Sequence, residues 1–266
     1  MKPTRVILLG TGSSAGVPLI GGADGSGNWG ACDPAEPRNR RTRTSIVVES
    51  DEGTRLLVDT GPDLRAQLLA CRVPSVDAIL YTHAHADHIT GMDDARILNR
   101  IAGRPLEALA TRATLDELTR RFAYAFRPWQ PPTFFRPVLV PREVSVGETI
   151  EAVGLRIQLI DQDHGFSHSL GLRIGNFGYS TDVLALDEVA LAKLEGVDTW
   201  VVGCFLRHGP HKTHADLDQV LAWQQRVGAR RTVLTHMSSD MDWGWMVANL
   251  PAGVEPGYDG QILDLT

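Results

Sequence analysis

Apolar residues in this chain come in short runs separated by glycine, proline and polar clusters, the pattern of short strands alternating with amphipathic helices. Arg5 to Leu9 reads as a buried strand, stopped by Gly10-Thr11-Gly12-Ser13-Ser14. Thr44 to Glu49 and Arg55 to Asp59 read as a hairpin around Asp51-Glu52-Gly53. Further strands are expected at Val76 to Tyr81, Gly154 to Ile160, Ser169 to Ile174, Gly178 to Thr181, Thr199 to Gly203 and Arg231 to Thr235. Helices are expected over Asp63 to Ala70, with Pro62 near the start, Ile89 to Ile101, 112 to 125, Asp187 to Leu194 and Leu217 to Arg226. Residues 10 to 37 read as a long ordered loop, and Phe126 to Pro141, rich in proline and aromatics, as an irregular excursion. The tail alternates glycine with apolar residues.

The elements run strands first, then helices mixed with strands, in two similar halves without a low-complexity linker or short-period repeat. One α/β domain over residues 1–266, sheets inside and helices outside, is the simplest architecture. Composition agrees: 43% hydrophobic and 22% charged residues are ordinary globular values. The net charge of −6 argues against a stable nucleic-acid complex but allows a small anionic substrate held by local cations. Cys32, Cys71 and Cys204 lie scattered with no CxxC, which fits a reducing compartment; Cys71 and Cys204 read as buried apolar residues. The apolar run after Met1 is too short for a signal-peptide core and no stretch could span a bilayer, so a cytoplasmic protein is expected.

The chemistry concentrates in Thr82-His83-Ala84-His85-Ala86-Asp87-His88, which holds three of the nine histidines. That density makes a chance loop improbable. The cluster begins where a strand ends, and side chains two apart in extended backbone point the same way, so His83 and His85 can share one metal. Asp87 and His88 sit where the chain turns into a helix and can face a second point. Imidazole and carboxylate suit zinc, manganese or iron.

The motif His83-Ala84-His85-Ala86-Asp87-His88 resembles the HxHxDH signature of the metallo-β-lactamase superfamily. Further ligand types follow in order, each directly after an apolar strand: His164, Asp182 in Tyr-Ser-Thr-Asp, and His236 in Leu-Thr-His. The resemblance implies an αββα sandwich of two central mixed sheets flanked by helices. It also implies two divalent ions, Zn²⁺ or Mn²⁺: His83, His85 and His164 would hold one, Asp87, His88 and His236 the other, with Asp182 between them. His168, four residues after His164, competes for that role; His164 is favoured because it closes the strand segment directly.

Other segments narrow the branch. Leu9-Gly10-Thr11-Gly12-Ser13-Ser14-Ala15-Gly16-Val17-Pro18, a Gly-rich turn after the first strand, resembles the opening of phosphodiesterase and RNA-processing branches, and Pro37 to Ser45 fits the same group. His214-Ala215-Asp216-Leu217 and Gly257-Tyr258-Asp259-Gly260 flank Val233-Leu234-Thr235-His236. Together they resemble the phosphodiesterases that act on phosphoribosyl cyclic phosphate in bacterial phosphonate catabolism. The activity so implied is opening of a ribose or nucleotide cyclic phosphate by a metal-bridged hydroxide, with Asp87 and His214 as catalytic residues and His214 protonating the leaving alkoxide. Another reading makes His214 a cap for the following helix. That branch also carries a structural zinc on a CxCxxC loop and a histidine; the matching positions here are Gly27, Trp29, Cys32 and Ser239, so no third metal is expected, and packing around Trp29 would hold the loop.

The remaining candidates are weaker. Arg38 to Arg43 and Arg207 to Lys212, which includes His208 and His211, could contact phosphate or form surface ion pairs. Phe122, Tyr124, Phe126, Trp129, Phe134 and Phe135 could form a lid, half of a homodimer contact, or ordinary core. Competing functions are a tRNA 3′-processing endonuclease, for which no long basic arm is visible, a lactone or thioester hydrolase, and a non-hydrolytic metal-binding carrier.

Overall fold

The computed structural model describes residues 2–128 and 138–265. The first half contributes β1 (Pro3–Gly10), β2 (Ser45–Ser50), β3 (Arg55–Val58), β4 (Ala78–Leu80), β5 (Leu106–Ala110) and β6 (Leu139–Glu143). The second contributes β7 (Thr149–Ala152), β8 (Leu155–Asp163), β9 (His168–Ile174), β10 (Phe177–Ser180), β11 (Thr199–Gly203), β12 (Arg231–Thr235), β13 (Val254–Pro256) and β14 (Ile262–Asp264). Two seven-stranded sheets form, ordered β14-β1-β2-β3-β4-β5-β6 and β13-β12-β11-β10-β9-β8-β7. Both are mixed: β3 through β6 and β10 through β13 run parallel, the rest antiparallel. The C-terminal strand β14 pairs with β1 and so returns the chain to the first sheet.

Strand periodicity explains the layers. Val6 and Leu8, Ile46 and Val48, and Leu56 and Val58 point inward and meet Leu155, Ile157, Leu159, Leu170, Leu172 and Phe177 of the other sheet in one buried core. Their alternates, Ile7, Leu9, Val47, Leu57 and Ile79, point outward onto α1 (Leu64–Ala70), α2 (Ala86–Ile89), α3 (Ala95–Ala102) and α4 (Arg112–Arg121). A short α5 (Ala123–Phe126) follows α4. On the far side Trp200, Val202 and Leu234 pack under α6 (Glu188–Leu194), α7 (Leu217–Val227) and α8 (Trp243–Asn249). Strands apolar on both faces are what a sheet covered on both sides requires. The architecture is the expected αββα sandwich, and no described helix is long and apolar enough to cross a membrane.

Several elements differ from expectation. The helix expected over Ile89 to Ile101 is α2, a 3₁₀ turn at Met92–Asp94, and α3. Gly91 breaks it: its N–H donates to the Thr60 carbonyl, and a side chain there would collide with the Gly61 carbonyl oxygen. The helical stretch at 112 to 125 breaks at Phe122, whose backbone leaves the helical region. The expected irregular excursion ends in β6, which starts at Leu139. Trp129, Phe134 and Phe135 fall outside the described residues. Strands β5, β7, β13 and β14 were not expected; they owe their conformation to neighbours already in place. Cys204 is buried as expected, but Cys71 is half-buried.

Candidate metal centre

Strand ends of both sheets build the site. His83, His85, Asp87 and His88 follow β4; His164 follows β8, Asp182 follows β10, and His236 follows β12. One donor atom from each of His83, His85, His164 and Asp182 lies within 4.8 Å of the others. The same holds for Asp87, His88, Asp182 and His236, so the two sets share Asp182. The seven residues favoured as ligands in the sequence meet here.

The second partner of each ring fixes its orientation. His164 Nδ1 donates to the Thr213 carbonyl at 2.7 Å, which leaves Nε2 facing His85 Nδ1 at 3.2 Å and Asp182 Oδ1 at 3.5 Å. His88 Nδ1 donates to Asp59 Oδ2 at 2.7 Å, and its Nε2 lies 3.1 Å from Asp182 Oδ2 and 3.2 Å from Asp87 Oδ2. His236 Nε2 is 3.3 Å from Asp182 Oδ1 and 3.6 Å from Asp87 Oδ2. Thr181 Oγ1 donates to Asp182 Oδ2 at 2.7 Å.

Charge and burial pull in opposite directions here. Burial alone would raise the Asp182 carboxyl; the His236, His88 and His83 imidazoles outweigh it and hold it well below the usual carboxylate range. Burial would lower the His88 pKa; Asp182 and Asp59 outweigh it and raise it. His83 and His164 are held down by burial, although Asp182 opposes. The Nε2 atoms of His83, His88 and His236 are buried and lack a hydrogen bond of acceptable geometry among the described residues. Buried polar atoms are ordinarily satisfied. Inward-facing imidazole nitrogens around a shared carboxylate are a donor set that fits divalent cations.

Asp59, Asp182 and His236 have φ of 65°, 51° and 52°, left-handed conformations that non-glycine residues rarely adopt. Such outliers persist where surrounding structure over-determines them. Asp59 was missed as a site residue. It is fully buried and accepts from His88 Nδ1, Thr82 N and Thr82 Oγ1. A sequence signal existed: like Asp182 and His236, it is a polar residue closing a buried apolar strand.

His214 lies against the cluster, its ring centroid 4.9 Å from His164 and 4.8 Å from His236, and it stacks on Phe205 at 4.9 Å. Burial, then the neighbouring His236, pushes its pKa down to about 3, so the ring is neutral. It does not cap α7; Asp216 does, in a capping box with Gln219. His168 stays out of both ligand sets, exposed and paired with Asp161 at 3.0 Å. His208 pairs with Asp218, and the His211 ring lies tilted against Phe205, centroids 4.6 Å apart.

The basic segment is consumed internally. Arg38 pairs with Glu36, Arg43 with Asp63, and Arg40 stacks over Trp29. Arg41 is buried and reaches Cys32 Sγ, the Ser238 carbonyl and Asn39. Cys32 Sγ in turn donates to the Ser239 carbonyl at 3.4 Å, so those two positions do come together. Trp29 is only half-buried; Arg41 and Asn39 are the deeper anchors of the loop.

Comparison with known proteins agrees with this geometry. A family model described as beta-lactamase superfamily domain matches residues 54–237. An octanoyltransferase of Porphyromonas gingivalis is 30% identical over 257 residues, 96% of this chain and 50% of that protein. The chain spans about half or less of the length of such curated relatives. Zn²⁺-bound PqqB from Methylobacterium extorquens has the same fold, at TM-score 0.75 and 18% identity over 98% of this chain and 100% of that one. A diphosphatase from the PhnP family superposes at TM-score 0.86 with 33% identity, over 98% of this chain and 97% of that one. The chain belongs to the metallo-β-lactamase superfamily and resembles the PhnP family.

Proposed function

We propose that the chain is a phosphodiesterase that opens the cyclic phosphate of a ribose or nucleotide. The observation that carries this reading is the sharing of Asp182 between two complete ligand sets. Two ions, Zn²⁺ or Mn²⁺, held by those sets would supply Lewis-acid activation of water and of a phosphoryl oxygen. Asp87 and Asp182 neutralise only part of two divalent charges, which leaves a positive site suited to a diester monoanion. Asp59, Thr181 and the Thr213 carbonyl keep His88, Asp182 and His164 aimed inward. His214 is proposed to donate a proton to the leaving oxygen. Its ring is neutral in the free protein, so it would take up a proton from solvent as the anionic diester binds beside it, pass that proton to the leaving oxygen as the phosphorus–oxygen bond breaks, and end neutral again.

A second reading, cleavage of a diphosphate, is favoured by the 33% identity to the PhnP-family diphosphatase. The test is a panel of bis(nitrophenyl) phosphate, a 2′,3′-cyclic nucleotide, ribose 1,2-cyclic phosphate, a diphosphate ester, precursor tRNA and homoserine lactone, with and without Mn²⁺. Hydrolysis of the cyclic phosphates above the others supports the proposal; activity on the lactone or the diphosphate alone overturns it.

A further inference from the structure

His83, His88 and His164 are each held in place by a hydrogen bond at Nδ1, to the Thr82 hydroxyl, Asp59 and the Thr213 carbonyl. His214 has no such anchor among the described residues: Asp182 Oδ1, 3.9 Å from its Nδ1, is beyond hydrogen-bond reach. An imidazole turns about two side-chain bonds, and the second has only broad preferences. A nitrogen that must meet one leaving oxygen therefore needs its ring fixed by other means.

Two rings that belong to neither ligand set do this. Phe205 stacks on His214 with centroids 4.9 Å apart and planes 23° from parallel, and His211 stacks on it at 5.1 Å and 25°. Phe205 and His211 also pack against each other, centroids 4.6 Å apart, so the three rings form a closed triangle.

Both rings are tied to the frame that carries the donors. Phe205 N donates to the Ala215 carbonyl at 2.9 Å, and the Phe205 carbonyl accepts at 3.2 Å from the N–H of Ser238, two residues beyond His236. Ala215 N donates at 2.8 Å to the carbonyl of Val183, the residue after Asp182. His211 Nδ1 accepts from Thr213 N at 3.3 Å and lies at the same distance from Thr213 Oγ1. One threonine thus orients the ligand His164 with its carbonyl and His211 with its N–H. The triangle cannot move relative to the centre without breaking these bonds.

We infer that Phe205 and His211 are positioning residues that act through His214: their stacked rings, in place of a hydrogen bond, hold its ring toward the centre. The inference rests on the phosphodiesterase reading and assigns a task within it to the loop between β11 and α7. Stacking needs a flat ring and no proton of its own. An aromatic replacement should therefore serve at either position, and an aliphatic one should not.

The experiment is a double-mutant cycle on the metal-loaded full chain. Phe205→Leu and His211→Ala should each lower kcat on ribose 1,2-cyclic phosphate by up to ~10²-fold, the cost of a misplaced group. The loss on a nitrophenyl ester should be far smaller, and metal content should stay the same. In the His214→Ala background the same substitutions should cost nothing further, since a residue that acts only through another is silent once that partner is gone. Phe205→Tyr and His211→Phe should restore most of kcat. Losses that multiply with that of His214→Ala, or that are equal on both substrates, would mean a merely structural role and overturn the inference. Failure of His211→Phe to restore kcat would overturn the assignment of His211.

Crystal structures of the same metal-loaded proteins read the ring without substrate. His214 should hold one rotamer in the wild type and in His211→Phe, and more than one in Phe205→Leu. A single rotamer throughout overturns the inference. Rotamers that loosen as expected in a chain that hydrolyses no phosphodiester would sink the phosphodiesterase reading and leave the positioning role standing.

Discussion

Replacing Asp59 by Asn changes one atom in a fully buried position, and its effects can be traced bond by bond. The carboxylate accepts from Thr82 N on one oxygen, and from Thr82 Oγ1 and His88 Nδ1 on the other, at 2.7–2.8 Å. Asn must turn its NH₂ toward one of these sides. Facing Thr82 N, it leaves two donors opposed and a buried backbone N–H unpaired, at a cost of about 1–3 kcal/mol. Facing His88, the hydroxyl of Thr82 can rotate and accept, but His88 Nδ1 can accept only if its proton moves to Nε2. That proton then covers the atom aimed at Asp87 and Asp182. The second arrangement trades a folding penalty for a metal-binding penalty. Losing a carboxylate that orients a metal-binding histidine costs ~10- to 100-fold in affinity. We therefore expect Asp59→Asn to weaken one class of metal site by that factor, while the site containing His83, His85 and His164 keeps its affinity. The chelator-treated variant should lose no more than about 3 kcal/mol in urea unfolding. Competition with a chromophoric chelator measures the affinities. If Asp59→Asn takes up metal with wild-type affinity at every site, the orienting role assigned to Asp59 is refuted.

Asp182→Ala should lower metal uptake at both sites together, because both sets use it; loss at one site only, by elemental analysis after dialysis, would contradict the shared arrangement. His214→Ala should reduce kcat by ~10²–10⁴-fold on a ribose cyclic phosphate and far less on a nitrophenyl ester, whose leaving group needs no proton; equal losses would remove the acid role. Chelation of bound metal at saturation, worth about 2.7 kcal/mol at a hundredfold excess over Kd, should lower Tm by roughly 5–10 °C in a scanning assay; an unchanged Tm would mean that the seven residues hold no ion tightly. Burial pushes the Asp259 carboxyl up to about 6, against hydrogen bonds from Thr11 and Thr42. The folded state therefore keeps a proton that the unfolded chain has already lost. The resulting stability is fully present below about pH 4 and lost as pH rises through about 6, by up to ~3 kcal/mol. Urea unfolding in chelator should show this decline in the wild type and not in Asp259→Asn; parallel pH profiles would exclude it.

The candidate ligands were more legible in the sequence than the fold that gathers them. His83, His164, Asp182 and His236 each close or follow an apolar strand, and that local signal survives without knowledge of the strand order. Strand β5, Leu106-Glu107-Ala108-Leu109-Ala110, carries residues that favour helices; only its place between β4 and β6 makes it extended. Strands β13 and β14 are three residues each, too short for periodicity to register, and owe their conformation to β12 and β1. The break at Gly91 depends on Gly61, a contact invisible along the chain. Asp59 meets His88 across 29 positions of sequence, so its partner could not be read locally. Arg41 illustrates the reverse error: in a run of arginines it looks like a surface charge, yet it is buried beside Cys32.

The centre straddles the seam between the two sheets. Four of its donors follow β4, in the half that ends with β6, and three belong to the half that begins with β7. A cut in the connection between β6 and β7 would leave neither fragment with a complete set, since each set draws on both. Two such pieces, coexpressed, would regain an ion only by re-forming the inter-sheet face in register. The donor cluster is thus a molecular AND gate: it records whether both halves are present and correctly docked, and it makes activity a direct readout for selecting split variants of this fold.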